Sequence, residues 1–211
     1  EQNYSNIFFD YLFSKRNPDF YNYRTNCANF VSQCLLNGGI VMVPEWHSTK
    51  LSKLLEHPIN YGVDFRSLLP IIGNNYLYDW DISDAWRKAQ PQFDYFSDPN
   101  NGYINGDVIS VNSANQISDV INSYNIRKGD LLYWSEDDGE SVHHATMISD
   151  VVDGKILYTG NTMTRFDHDL GNALGDSTVL IVRINDNIKY SVTQIDPRFD
   201  FKIYNIAGAG K

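Results

Sequence analysis

The sequence predicts an α+β domain, with helices in its N-terminal part and an antiparallel sheet after residue 128. Three observations carry this. Near the N-terminus apolar residues recur at spacings of three and four, the period of a helix face. From Lys128 onward, short runs rich in Leu, Ile, Val and Tyr are separated by turn residues. Between two of those runs stands Asp153-Gly154, the residue pair of a tight antiparallel hairpin. The 211 residues suffice for a single domain over 1–211 with a substantial core.

In chain order, Ile7, Phe8, Tyr11 and Leu12 predict an opening helix over 4–13, ended by Asn17-Pro18-Asp19. A second helix follows Asn26, a favoured N-cap type. It runs through 28–36 without proline or glycine and stops at Gly38-Gly39. Phe30, Val31, Cys34 and Leu35 mark its apolar face. Residues 41–126 read as an irregular, mostly helical middle region, with short helices near 48–56 and 82–90 and another over 114–124. Asp81, Ser83 and Asp84 are suitable helix-start residues, and 97–102 is a turn or exposed loop. Strands are expected over 130–135, 145–152, 155–161 and 178–184, with one or two more in 190–203. The second helix would pack on that sheet.

Composition narrows the function classes. A net charge of −9 without any Lys/Arg cluster argues against a nucleic-acid partner. No apolar run approaches the roughly 18 residues of a membrane span. Aromatic residues make up 14% of the chain, with fourteen tyrosines, enough to build a core and line a groove for a polymer. The chain shows no charged-then-apolar leader, which fits either removal of a signal peptide or larger parent ahead of Glu1 or a trimmed chain, and the abundant asparagines hint at a bacterial source.

Cys27 begins the second helix, and His143-His144 begin a strand more than a hundred residues later. A thiol at a helix N-terminus with an imidazole in reach is the arrangement of a cysteine hydrolase. A free cysteine titrates at about 8.5, and both the helix dipole and an imidazolium would lower that value. An acidified Cys27 is therefore expected. Cys34 lies seven residues on, about 10 Å along a helix at ~1.5 Å per residue. That is beyond the ~7 Å a disulfide tolerates, so Cys34 reads as core packing.

Alternation sends His143 and His144 to opposite faces and does not choose between them. Either could instead be a hydrogen-bonded or surface residue. Asn161, at the end of the next strand, could orient the imidazole or simply cap the strand. His47, His57 and His168 stand among polar neighbours and are expected to be exposed. The run Glu136-Asp137-Asp138-Gly139-Glu140 could bind Ca²⁺, but it lacks a full calcium loop and reads as a solvated hairpin. A zinc site from His143, His144 and His168 is disfavoured, because adjacent strand histidines diverge.

The stretch Asn26-Cys27-Ala28-Asn29-Phe30-Val31-Ser32-Gln33-Cys34-Leu35, with Gly38-Gly39, resembles the bacterial putative amidase domain family of the papain-like cysteine hydrolase superfamily. That family shows an Asp-Cys-Thr-Asn-Phe-Val-Ser-Gln signature. Lys128-Gly129-Asp130-Leu131-Leu132 and His144-Ala145-Thr146-Met147-Ile148 look like its Gly-Asp and histidine strands. Asn161-Thr162-Met163-Thr164-Arg165 falls where His-Thr-Thr-Asp-Arg is common, and the segment around Trp86 is similar to its tryptophan-containing middle region. The resemblance implies a papain-like fold, with Cys27 as nucleophile, His144 as general base and Asn161 as polar orienter. Asn26 stands where the family has Asp, Asn161 where it has His, and Thr164 where it often has Asp.

The resemblance also implies amide cleavage through a thioester, on peptidoglycan or its peptides, as amidase or endopeptidase, by a secreted or cell-wall protein. The Cys27 N–H is the first oxyanion donor, with Asn26, Tyr21 or Tyr23 as candidates for the second. No cofactor or metal is required. Two other outcomes follow from the same residues: interception of the thioester by another nucleophile (acyl transfer, deamidation or cross-linking of proteins), or an inactive wall-binding module. Neither the bond cleaved nor the oligomeric state is readable from the chain.

Overall fold

The computed structural model describes residue 17 and residues 19–53, 78–162 and 165–186. The expected helix over 4–13 and strands over 190–203 lie outside the described residues, as does His57. Among the described residues the protein is mixed α/β, with five α-helices and a six-stranded antiparallel sheet. In chain order these are α1 (Cys27–Asn37), β1 (Ser48–Lys53), β2 (Tyr78–Ile82), α2 (Asp84–Arg87), α3 (Ala89–Ser97), β3 (Ile109–Val111), α4 (Ile117–Tyr124), β4 (Leu131–Ser135), β5 (His144–Val152), β6 (Lys155–Gly160), β7 (Arg165–Asp169), α5 (Leu170–Ala173) and β8 (Thr178–Val182). The sheet order is β3-β8-β4-β5-β6-β7, and β1 and β2 form a separate antiparallel ribbon.

The sheet is covered on both faces, giving three layers. Strand alternation divides β4: Leu131 and Tyr133 join one core with Ala28, Val31, Leu35, Trp46, Trp86, Phe96, Ala145 and Val182. Leu132 and Trp134 join the other, with Val111, Ile117, Val120, Ile148, Ile156, Leu170 and Ile181. Every residue of β4 and β8 is therefore buried, which explains their near-continuous apolar sequences. The first core is aromatic: Trp86 stacks on Phe20 at 5.5 Å and meets Trp46 at 4.8 Å, and Trp46 packs edge-on to Phe96.

Helix α1 ends as expected at the glycine pair. Ile40 donates to the Leu35 carbonyl and Gly39, at φ 101°, to that of Leu36, the two bonds of a Schellman stop. Its buried face differs from the expected one. Ala28, Val31, Ser32 and Leu35 are buried, whereas Phe30 and Cys34 are only partly so. Both cysteines are free thiols.

The strands of the second half lie within a residue or two of their expected limits. Asp153 (φ 51°) and Gly154 (φ 72°) make the tight turn between β5 and β6. The acidic run forms the β4–β5 connection. There Asp137 accepts from the hydroxyls of Ser135 and Ser141, which hold its carboxyl down at about 2. The middle region requires a correction: Ser48–Lys53 is a strand, not a helix, because it pairs with Tyr78–Ile82. Helices do occupy Asp84–Arg87, Ala89–Ser97 and Ile117–Tyr124. No described helix is long and apolar enough to cross a membrane.

Candidate active site

The N-terminus of α1 meets the sheet at a notch. β5 and β6 pair as far as Met147↔Thr159, and there the ladder ends. The Ile148 N–H donates to the Asp130 carbonyl at 2.8 Å on the β4 side, so alternation turns the Ala145 N–H the other way, into the notch. The Cys27 sulfur lies there, facing the N–H of Ala145 first, then those of Ala28 and Cys27 itself.

These N–H groups favour thiolate, yet burial outweighs them and pushes the Cys27 thiol above its ordinary range. The expectation of an acidified thiol is thereby corrected. His144 responds to the same surroundings. Burial, followed by the positive charges of His143 and Arg165, lowers its imidazole to about 4. Surroundings that disfavour charge act on both groups, so at neutral pH they are a thiol and a neutral imidazole.

His144 opens β5 and is peptide-bonded to Ala145, whose N–H faces the sulfur. Its Nε2 stands beside Gly160, the last residue of β6, 3.8 Å from where a Cβ on that glycine would lie. That Cβ would come within 2.6 Å of Thr146 Cγ2, so glycine lets the ring and Thr146 share this face. His143, just outside the strand, is 49% exposed and faces Glu136 at 3.8 Å. The half-buried imidazole of the pair is therefore His144.

A second contact joins the two halves of the site. Thr162 Oγ1 accepts the Asn26 N–H at 2.7 Å, across 136 residues of sequence. Thr162 does this at φ 87°, a region a β-branched residue rarely occupies. Asn161 Oδ1 accepts the Thr162 N–H at 2.8 Å. Among the described residues no hydrogen bond joins Asn161 to His144.

The Asn26 side chain does not cap α1. Instead a buried relay fixes it. Trp86 Nε1, which can only donate, bonds Asn29 Oδ1 at 2.6 Å. Asn29 Nδ2 must then donate, and it reaches Asn26 Oδ1 at 2.7 Å and the Tyr21 carbonyl at 3.1 Å. With its N–H given to Thr162 and its Oδ1 oriented towards Asn29, Asn26 has its side-chain Nδ2 as a further donor. Further along α1, Ser32 Oγ donates to the Trp86 carbonyl and accepts from Trp46 Nε1 and Gln92 Nε2. Gln92 Nε2 also reaches the Ala28 carbonyl.

Of the other oxyanion candidates, Tyr21 packs on Tyr23 at 4.5 Å and edge-on to Trp80. Burial raises the Tyr23 phenol to about 12, so it keeps its proton. His47 and His168 are not fully exposed as expected. His47 Nδ1 bonds the Pro44 carbonyl at 2.7 Å, and His168 packs edge-on to Tyr158. Among the described residues, no group of three or more His, Cys, Asp or Glu side chains is arranged to hold a metal ion.

Sequence reasoning assigned no role to Asn29, Gln92 or Thr162. The spacing of Asn26 and Asn29 was a usable sign, since residues three apart meet on a helix. The bonds to Trp86, Gln92 and Thr162 join distant parts of the chain and leave no local pattern.

Neither the curated proteins nor the solved structures include a match to this chain. A family described as "Putative amidase domain" does match it, over residues 2–182. The match takes in Cys27, Asn29, Trp86, His144 and Thr162, and the chain belongs to the putative amidase domain family.

Proposed function

We propose that this protein is a cysteine-dependent amide hydrolase of papain-like arrangement. Family membership points to amide hydrolysis in general. The cysteine mechanism is supported chiefly by one observation: the Cys27 sulfur faces the N–H of the residue that follows His144, in a single notch.

Because the pair is neutral, the reaction begins with proton transfer. As Cys27 Sγ attacks the amide carbonyl carbon, His144 accepts the thiol proton. The tetrahedral oxyanion is met by the Cys27 N–H at the start of α1 and by the Asn26 side-chain amide; Tyr21 and Tyr23 are the other candidates for this second role. His144 returns the proton to the leaving amine, the C–N bond breaks and a thioester remains. Water, deprotonated by His144, then attacks the thioester, releasing a carboxylic acid and the free thiol. Asn161 is the orienting residue: its Oδ1 has two lone pairs, and the Thr162 bond leaves one for the imidazole N–H.

Peptidoglycan or its peptides is the substrate class we favour, with the protein secreted or wall-associated in a bacterium. Mass spectrometry of purified muropeptides after incubation would reveal both turnover and the bond cut. Cys27→Ala should abolish product formation while leaving Tm nearly unchanged. Undiminished hydrolysis by that variant would falsify the mechanism.

A further inference from the structure

We propose that Thr162 is a positioning residue, whose hydroxyl holds the start of α1 where His144 can take the Cys27 proton. This rests on the reading of Cys27 and His144 as the reacting pair and adds the residue that sets their approach.

Consecutive residues at the end of β6 touch both sides of the notch. Gly160 stands beside the imidazole, with His144 Nε2 3.8 Å from where a Cβ on the glycine would lie. Asn161 follows, and its Oδ1 accepts the Thr162 N–H at 2.8 Å. Thr162 Oγ1 accepts the N–H of Asn26 at 2.7 Å, one residue before the nucleophile. Asn26 is held at other points as well. Its carbonyl accepts the Phe30 N–H at 2.9 Å, and its Oδ1 accepts the Asn29 side-chain amide at 2.7 Å. Phe30 and Asn29 both belong to α1 and move with it. The Thr162 bond is the one of these that ties Asn26 to the strand end beside the imidazole.

The backbone of Thr162 shows what this contact demands. Its φ of 87° lies in the left-handed region, which a β-branched residue rarely occupies and glycine enters freely. Glycine would relieve the backbone, but it has no oxygen to offer Asn26. A strained residue whose side chain makes such a bond points to a role beyond the turn itself. The simpler account is a stitch that only stabilises α1 against the sheet. That account predicts lower stability without the hydroxyl and no change in what the imidazole does for the thiol.

The two accounts separate in a double-mutant cycle on Cys27 alkylation by iodoacetamide at neutral pH. Rates are read by peptide mapping, which resolves Cys27 from Cys34. The factor by which His144→Gln slows the reaction measures the help the imidazole gives, and any change in access to the thiol cancels from it. Thr162→Gly should shrink that factor by about fivefold, and Thr162→Val, which keeps the branched shape, should shrink it equally. Thr162→Ser, which keeps the hydroxyl, should leave it within about twofold. A factor unmoved by Thr162→Gly or by Thr162→Val overturns the positioning role while leaving the reacting pair intact, as does equal shrinkage by Thr162→Ser. Failure of iodoacetamide to modify Cys27, or an equal rate with and without His144, removes the reacting pair itself, and the positioning role with it.

Discussion

The two candidate reacting groups share one cause for opposite shifts. Burial raises the Cys27 thiol and lowers the His144 imidazole to about 4. The positions of both residues could be read from the sequence, but their protonation could not, because it depends on what the folded chain packs around them. Two outcomes follow from the His144 shift. The acid limb of kcat/KM, or of Cys27 alkylation, should lie near about 4 and not near the ordinary 6.5; a limb at the ordinary value would remove the buried-base account. Stability should respond as well. Between 6.5 and about 4 the unfolded chain takes up a proton that folded His144 refuses, so stability is present above this window and is lost as pH falls through it. His144→Gln should flatten that part of a Tm-against-pH curve.

At the scale of elements, legibility followed locality. The β5–β6 hairpin was readable because Asp153 and Gly154 adopt the positive φ their turn demands. Ser48–Lys53 was misread as helix because its partner strand, Tyr78–Ile82, lies far along the chain and its own polar residues show no alternation. Arg165–Asp169 was missed because this edge strand, Arg-Phe-Asp-His-Asp, is mostly polar. The buried face of α1 was misplaced for a related reason. Its Asn29 and Ser32 are polar yet buried, satisfied by Trp86, Trp46 and Gln92. Trp86→Phe tests that face. It keeps most of the ring but removes the Nε1 donor to Asn29 Oδ1, which should cost about 1–3 kcal/mol in denaturant unfolding. It should also lower kcat for amide cleavage, because the Asn26 amide proposed to meet the oxyanion loses its fixed orientation. An unchanged unfolding midpoint would show the relay to be dispensable.

At the scale of the whole molecule, one buried carboxylate ties the sheet together at its centre. Asp130, at the entrance to β4, accepts the N–H of Arg127 and that of Ile184 beyond β8, each at 2.9 Å. Burial nonetheless holds its carboxyl above the usual range. The Gly-Asp pair before a strand was visible in the sequence, but its reach to residue 184 was not. Asp130→Ala leaves two N–H groups unpaired, and a loss of about 2–4 kcal/mol is expected from urea unfolding. A loss under about 0.5 kcal/mol would mean that water replaces the carboxylate at little cost.

The Thr162 bond to the Asn26 amide has a consequence for biosynthesis. Asn26 is made early and Thr162 follows 136 residues later, so through that stretch of synthesis a nascent chain carries Cys27 without the contact that ties the start of α1 to the sheet. Premature termination ahead of Thr162 should release fragments whose sulfur is alkylated at the rate of any exposed cysteine.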